Sequence, residues 1–297
     1  LGRTTNKGWE LSIESRNIVK PRFSWTTNLS LAHNEQMVDD IGTEDFVVAA
    51  KSAGNNPYMM QGYVKGYPLN ALWGFRYGGV WKSTEEFERN GVTHAYASAT
   101  QITSAAKSLG LPRYYDMNHD GTLNQDDLVY LGNADPYLYG GLQNSFRIGK
   151  LNIGVYFTYS LGGKIYNYAE LYMSGSKHTN QYRYMLDAWH PVRNPDSDLP
   201  SAGCCDVNVP SDLQVHDASF LRLKNVSLGY TLPSRSLRKA GISQMRVYVS
   251  ADNIWTLTGY SGPDPEVSTR NSVLTPGFDW SAYPRAFGFT AGVNLTF

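Results

Sequence analysis

The regular alternation of apolar and polar residues at the end of the chain constrains the fold more than any other feature. From Phe287 to Phe297 every odd-numbered residue is apolar, and the residues between them are glycine, threonine or asparagine. Successive side chains of a β-strand point to opposite faces, so this segment has one apolar and one polar face. Its length matches the roughly 9–11 residues that a tilted strand needs to cross a bilayer.

The same alternation recurs along the chain and predicts further strands. The polar faces contain serine, threonine, asparagine, glycine and some charge, which suits the water-filled interior of a barrel. An antiparallel sandwich with one solvated face alternates in the same way, so the pattern by itself leaves both folds open. The predicted strands are 7–17, 21–33, 137–149, 151–166, 218–232, 243–255 and 284–297.

The lengths of the connections favour the barrel. Short connections at 17–21, 149–150 and 233–242 alternate in strict order with three long ones. Bacterial outer-membrane barrels have short periplasmic turns and long outer loops, whereas long irregular loops are uncommon in a compact sandwich. We therefore predict an all-β fold, an antiparallel transmembrane β-barrel with little helix. Its long extracellular loops are predicted near 34–136, 168–217 and 256–283.

Smaller elements are expected inside these loops. The segment from Tyr67 to Trp81 is β-like, and we interpret it as β-structure within the first outer loop. Short helices are predicted over Glu85–Asn90 and Tyr182–Trp189.

Composition excludes some classes of partner but does not decide the fold. The chain has 26 basic and 26 acidic residues, so a nucleic-acid partner is not expected. The mean hydropathy of −0.39 is that of a soluble protein, but a barrel exposes only alternate residues to lipid and has a similar value. The 21 tyrosines and 7 tryptophans suit aromatic belts at the two membrane interfaces.

The number of predicted strands points to a larger barrel. The set is odd, whereas a single-chain bacterial barrel normally has an even number of strands. The chain begins with Leu1 and contains no signal peptide, which an outer-membrane protein needs for export. We therefore expect the whole chain, 1–297, to be the C-terminal part of a barrel that begins before Leu1.

One motif has the spacing of a calcium-binding loop. The segment from Asp116 to Asp127 follows the pattern of an EF-hand, with Gly121 at the position of the sharp turn. An aspartate stands at the last ligand position instead of glutamate, so weaker binding is expected, and an ordinary turn is the alternative. A structural Ca²⁺ ion is predicted. The predicted ligands are Asp116, Asn118, Asp120, Thr122, Asn124 and Asp127.

Motifs of enzymes are missing from the sequence. It contains no nucleophile elbow, zinc-protease motif, phosphate-binding loop or dinucleotide fingerprint, and we predict no enzymatic activity. The loop carboxylates Asp187, Asp196 and Asp264 leave a paired-carboxylate hydrolase as a minor alternative. The adjacent Cys204 and Cys205 are interpreted as loop cysteines, because neighbouring cysteines seldom meet disulfide geometry.

Several short stretches spread along nearly the whole chain carry a resemblance to one family: 6–11, 66–69, 73–80, 116–121, 131–136, 162–167, 220–233 and 247–255. Together, and in this order, they resemble the SusC/RagA-type TonB-dependent outer-membrane transporters of Bacteroidetes.

The resemblance implies more than the residue patterns do. It implies a barrel of about 22 strands around an N-terminal plug that precedes Leu1. It also implies location in the cell outer membrane, a SusD-like surface lipoprotein as partner, and energy delivered by TonB. The implied substrates are oligosaccharides (glycans) or peptides. Without the plug, this chain alone is not expected to transport.

The end of the chain is similar to the signal that the barrel-assembly machinery reads. In that signal a polar residue, a glycine, a hydrophobic residue and a terminal aromatic residue have fixed spacing. The matching residues are Thr290, Gly292, Leu295 and Phe297.

The sequence leaves two other classes of function open. A passive porin or adhesin would have the same barrel without a plug. A soluble, calcium-dependent carbohydrate-binding sandwich would have the alternation and the calcium motif without the membrane.

Overall fold

The computed structural model describes residues 2–51, 58–90, 109–120, 123–174, 179–203, 209–233, 237, 241–266 and 276–297. Over these residues the protein is mostly β-structure, organised around one seven-stranded antiparallel sheet and three smaller sheets. No helix in these ranges is both long enough and apolar enough to cross a membrane.

Strands make up most of the elements along the chain, and helices are few and short. The strands are β1 (Arg3–Lys20), β2 (Phe23–Asp40), β3 (Phe46–Lys51), β4 (Met59–Val64), β5 (Ala71–Gly74), β6 (Tyr77–Val80), β7 (Pro112–Tyr114), β8 (Val129–Asn133), β9 (Leu138–Ile148), β10 (Leu151–Leu161), β11 (Lys164–Asn167), β12 (Val215–Asp217), β13 (Phe220–Thr231), β14 (Gln244–Thr258), β15 (Phe278–Asp279) and β16 (Gly288–Thr296). The α-helices are α1 (Thr84–Asn90) and α2 (Tyr168–Met173), and short 3₁₀ helices span Gln125–Asp127, Arg183–Asp187 and Asp212–Gln214.

The main sheet is an up-and-down meander. Its strand order is β1-β2-β9-β10-β13-β14-β16, and each neighbouring pair is antiparallel. Each of the seven strands lies within a segment where alternation predicts a crossing strand or overlaps it closely. The antiparallel barrel-type fold predicted from the alternation is therefore confirmed.

The first hairpin extends beyond its predicted ends. β1 and β2 stay paired from Lys20 opposite Phe23 to Arg3 opposite Asp40, so the first long connection starts after Asp40 rather than near residue 34. Polar residues occupy both faces of this extension, so it lacks the apolar–polar alternation by which a strand is predicted. Backbone pairing continues there because it does not depend on the type of side chain.

The strand predicted over 151–166 is divided in two. β10 ends at Leu161, and β11 leaves the main sheet to join a smaller one. Gly162 and Gly163 both have positive φ angles, 75° and 78°, which glycine adopts without steric cost. The two glycines therefore turn the chain away from the sheet.

The short and long connections lie at opposite ends of the main sheet. The turns β1–β2, β9–β10 and β13–β14 form one end, where Gly149 adopts a φ of 62° in the turn before β10. The connections β2–β9, β10–β13 and β14–β16 form the other, as the sequence predicts.

The two faces of the main sheet differ in polarity. One face carries large apolar side chains that remain exposed, among them Trp9 (48%), Leu11 (46%) and Phe289 (67%). A barrel strand presents such residues to lipid, and the polar residues that alternate with them face the interior. We call these the apolar face and the inner face.

The described parts of the long connections fold into a compact body with its own core, which we call the outer cap. It contains the sheets β3-β4-β5-β8, β12-β11-β15 and β6-β7. Tyr166 and Phe278 stack at 5.5 Å in its largest hydrophobic cluster. The β-structure expected within Tyr67–Trp81 is present as β5 and β6, and the two expected short helices appear as α1 and the 3₁₀ helix Arg183–Asp187.

Candidate functional site

The inner face is a continuous polar wall built from cross-strand rows of side chains. Residues directly opposite one another on antiparallel strands point to the same face, so the register determines each row. The wall offers hydroxyl and amide groups from strand to strand, which suits the passage of a polar solute. One row consists of Thr26, Ser145, Gly154, Ser227, Ser250 and Thr290, and the next of Asn28, Gln143, Tyr156, Asn225, Asp252 and Gly288.

The inner face has a concavity of about 520 Å³ near the short-turn end. Two arginines, Arg147 and Arg246, are the charged residues of its lining, and no carboxylate belongs to it. The lining residues are Ser24, Thr26, Gln143, Ser145, Phe146, Arg147, Asn152, Ile153, Gly154, Ser227, Thr231, Gln244 and Arg246.

A buried ion pair attaches the last long connection to the wall of the sheet. Arg222 on β13 is 3% exposed, and its Nη2 donates to Asp264 Oδ1 at 2.5 Å. Its Nη1 donates to Glu266 Oε2 at 3.2 Å, and the same carboxylate oxygen lies 3.2 Å from Arg285 Nη2. This ion pair neutralises Asp264 and attaches the loop to β13.

A second polar cluster joins elements of the outer cap around the buried Glu170 of α2. Its Oε1 accepts a hydrogen bond from the Tyr184 hydroxyl at 2.7 Å, and its Oε2 lies 2.5 Å from His216 Nε2. Burial, together with the negative charge of Glu170, raises the pKa of Tyr184 well above its usual range. The neutral hydroxyl of Tyr184 therefore acts as a permanent donor that connects a 3₁₀ helix to α2.

The last connection contributes a similar contact. The Tyr260 hydroxyl donates to Asp279 Oδ2 at 2.6 Å, and Asp279 Oδ1 accepts from the backbone N–H of Ala282 at 2.9 Å. Burial, followed by the hydrogen bond to Asp279, raises the pKa of Tyr260. The ring of Tyr260 lies 5.8 Å from that of His216, so the two clusters adjoin.

The predicted calcium loop is compact, and its last carboxylate faces inward. Asp127 is fully buried; its Oδ1 accepts from Met117 N at 2.8 Å and its Oδ2 from Asn124 N at 2.9 Å. Asp116 is 2% exposed, and its Oδ1 accepts from His119 N at 2.8 Å. These hydrogen bonds hold the two ends of the loop together.

Among the other predicted ligands, Asn118 and Asp120 are exposed and Asn124 is half-buried. Asn118 Nδ2 donates to Asp120 Oδ2 at 3.0 Å, and Asn124 Oδ1 accepts from Asp126 N at 2.7 Å. Thr122 lies outside the described residues. In the part of the chain that the structure describes, no three His, Cys, Asp or Glu side chains are grouped as metal ligands, so calcium binding stays a prediction.

The predicted assembly-signal residues are divided between the two faces of β16. Thr290 and Gly292 are opposite Ser250 and Tyr248 on the inner face. A side-chain carbon at Gly292 would come within 2.5 Å of the ring of Tyr248, so this glycine makes room for the ring. Leu295 and Phe297 are exposed on the apolar face, at 46% and 82%. Their role in assembly stays a prediction.

Other candidates from the sequence are not brought together into a site. Asp187 and Asp196 are exposed, and Cys204 and Cys205 lie outside the described residues. The Nδ1 atom of His190 accepts hydrogen bonds from two loop amides, at 3.1 and 3.2 Å, which sequence reasoning could not have foreseen.

Comparison with curated proteins finds relatives of one kind. The chain is 31% identical over 303 residues to TonB-dependent receptor P3 of Formosa agariphila, covering 100% of this chain and 29% of the relative. It is 26% identical over 307 residues to TonB-dependent receptor SusC of Bacteroides thetaiotaomicron, covering 100% of this chain and 27% of the relative. The chain thus spans less than a third of the length of these relatives. No family model matches the chain.

Comparison with solved structures finds the same architecture. The structure of the RagAB peptide transporter superposes with a TM-score of 0.75 at 22% identity, covering 100% of this chain and 30% of that one. The RagAB peptide importer in its "open-open" state gives a TM-score of 0.71. At this level of identity the likeness shows the fold.

Proposed function

We propose that this chain is part of a SusC/RagA-type TonB-dependent receptor and that it forms part of the wall and of the outer cap of an outer-membrane barrel that imports a bulky solute. The observation that carries this proposal is the separation of the two faces of the main sheet. The apolar face exposes Trp9, Leu11 and Phe289 as lipid would require, while the opposite face is lined by hydroxyl and amide groups.

The proposed substrates are oligosaccharides or peptides. Both carry many hydrogen-bonding groups, and rows of serine, threonine, asparagine and glutamine on the inner face can exchange hydrogen bonds with either. A relative in the structural comparison is named a peptide transporter, which supports the peptide alternative for this chain.

The proposed partners follow from the proposed family. A SusD-like surface lipoprotein would bind at the outer cap, TonB would supply energy through a plug outside this chain, and the barrel-assembly machinery would insert the protein. Residence in the cell outer membrane, with the outer cap on the extracellular side, is part of the same proposal. The exposed apolar face supports contact with outer-membrane lipid.

A matched pair of tryptophan substitutions tests whether the inner face lines the transport path. Ser227 lies on the inner face, and the next residue, Leu228, is 42% exposed on the apolar face. We expect Ser227→Trp in the full-length receptor to slow the uptake of labelled oligosaccharide or peptide severalfold, because the ring narrows the path. Leu228→Trp should leave uptake unchanged, because its ring enters lipid.

Two further outcomes separate the competing classes of function. Uptake that continues after a protonophore collapses the proton-motive force would indicate a passive porin. Recovery of the full-length protein in the aqueous fraction without detergent would indicate a soluble sandwich. Equal uptake by the two tryptophan variants would show that the inner face does not line the transport path.

A further inference from the structure

We propose that residues 276–282 of the last long connection act as a strap that makes the outer cap open or close only as a whole. The strap lies between β14 and β16, and it is inserted among parts of the other two long connections. The proposal goes beyond the proposed function, because it concerns the conformational behaviour of the cap and not the solute.

Gly277 is the point of the strap at which the three long connections meet. A side-chain carbon at this position would come within 2.6 Å of Ala134 Cβ, in the first connection, and within 2.9 Å of Lys164 O, in the second. The φ angle of Gly277 is 74°, in the left-handed region that glycine adopts without steric cost. The backbone of the strap therefore passes through a gap that is too narrow for a side chain.

The backbone of the strap pairs with the second connection. Gly277 O accepts a hydrogen bond from Tyr166 N at 2.7 Å, and β15 runs parallel to β11, with Phe278 opposite Tyr166 and Asp279 opposite Asn167. β11 is the middle strand of the sheet β12-β11-β15. Without β15 it would keep a single neighbour, and an isolated two-stranded ribbon is marginally stable in water. The strap therefore supports the strand that it joins.

The side chain of Phe278 completes a core to which all three connections contribute. It is 1% exposed and stacks on the ring of Tyr166, with 5.5 Å between the ring centres. The same cluster contains the buried Met60 and Leu72 of the first connection and Leu171 of the second. Removing one large member of such a core leaves a cavity that the other members line. The loss of Phe278 should therefore weaken both of the other connections.

Polar contacts fix the strap on both sides of Phe278. Pro276 O accepts a hydrogen bond from Nε2 of the buried Gln61, in the first connection, at 3.4 Å. The buried carboxylate of Asp279 accepts from the Tyr260 hydroxyl at 2.6 Å and from Ala282 N at 2.9 Å. A buried polar group that loses its partner is costly, so partial release of the strap is disfavoured.

The central contacts of the strap lie in the interior of the cap. Gln61, Tyr166, Phe278 and Asp279 are each at most 1% exposed. Such groups have almost no free surface, so other parts of a longer receptor would add to their burial without replacing their partners. Opening the cap at any one connection would expose this shared core to water, at a cost that grows with the apolar area. The three connections therefore share one opening equilibrium.

Hydrogen–deuterium exchange of the full-length receptor tests the proposal with Phe278→Ala. We expect exchange about a hundredfold faster in β4 and β11, which belong to the first and second connections, because loss of a large core side chain raises the population of the open cap. Exchange in β9, β10 and β13 of the main sheet should not change. Tyr283→Ala is the matched control and should give wild-type rates, since Tyr283 is an aromatic residue of the same connection that is 92% exposed.

A second pair of variants reaches the open cap by a different route. Gly277→Ala places a carbon against Ala134 and Lys164 and should accelerate exchange in the same two strands. Gly42→Ala is its control, because Gly42 has a similar φ angle of 79° and open space around the added carbon, so it carries the backbone strain without the collision. Should Phe278→Ala fail to fold, Phe278→Leu retains most of the buried volume and is expected to show the same pattern by a smaller factor.

Two results would overturn the proposal. One is faster exchange confined to residues 276–287 with β4 and β11 still protected, because the cap would then be stable without the strap. The other is an equal acceleration in either variant and its control, because the effect would then not come from the inserted segment. The measurement needs no solute, so its failure is distinct from failure of the uptake assay with the two tryptophan variants.

Discussion

At the scale of single residues, the carboxylate of Asp127 has two properties that are unusual in a surface turn: its burial and its hydrogen bonds to the backbone. It is fully buried, and its oxygens accept backbone N–H groups from both ends of the loop. A carboxylate is seldom buried unless it is well compensated. In this loop the amides of Met117 and Asn124 compensate part of the charge, while Asp120 on the exposed side remains accessible to an ion.

We propose that this loop binds calcium weakly, and we predict that Asp120→Ala in the full-length receptor weakens binding about tenfold. The affinity of such loops follows the number of charged ligands, and this change removes one without disturbing the buried core of the loop. Terbium luminescence during a calcium titration measures the effect. Asp126→Ala is the matched control, because Asp126 is exposed and is not among the predicted ligands. Failure of the wild type to bind at millimolar metal would contradict the prediction.

At the scale of elements, polar residues on the apolar face satisfy one another across strands. Asn144 of β9 accepts hydrogen bonds from Trp25 Nε1 at 2.9 Å and from Thr27 Oγ1 at 2.8 Å, both on β2. Polar groups that face a membrane need partners within the protein, because lipid offers none. The same strands therefore keep an apolar face that tolerates a few polar side chains.

We expect the ion pair between β13 and the last long connection to contribute most to holding that connection in place. Arg222→Met removes the buried cation from Asp264 and leaves it only the longer contact, 3.7 Å, with the half-exposed Arg285; breaking a buried pair of this kind costs about 3–5 kcal/mol. Hydrogen–deuterium exchange of the full-length receptor should then show faster exchange in residues 259–266 and 276–287, with the main sheet still protected.

The matched control for this prediction is Arg285→Met. Arg285 belongs to the same network but is 42% exposed, so its ion pairs are screened by water and contribute little. Exchange in the last connection should be close to that of the wild type. Equal acceleration in both variants would show that the burial of Arg222 is not what holds the connection.

At the scale of the whole molecule, the main sheet and the outer cap differ in how they place their apolar side chains. Sheet strands bury few side chains against protein and expose one face to lipid, whereas the cap has an apolar core that includes Tyr166 and Phe278. The resemblance to SusC/RagA-type receptors, inferred from short motifs, is confirmed by relatives that align with the entire chain. The proposed path therefore runs between the wall of the sheet and a cap that several loops build together.

The end of the chain provides a prediction at this scale. Phe297→Ala in the full-length receptor should reduce the amount of folded barrel in the outer membrane severalfold, because the terminal aromatic residue belongs to the predicted assembly signal. The change of electrophoretic mobility on heating measures the folded fraction. Phe289→Ala is the control, since Phe289 is similarly exposed on the apolar face but lies outside the signal. An equal decrease in both variants would show that the effect comes from the loss of apolar surface and not from the assembly signal.

The sequence by itself determined the strands and their two faces, because a period of two residues is a local property that every strand shows along its own length. It also indicated the long and short connections and the family. Only the tertiary structure decided how the outer connections close on one another. Arg222 meets Asp264, Glu170 meets His216, and the side chain of Gln61 meets the backbone of Pro276, across 42, 46 and 215 residues. Contacts of this range depend on the register of the whole sheet, and no pattern within a single segment contains that information.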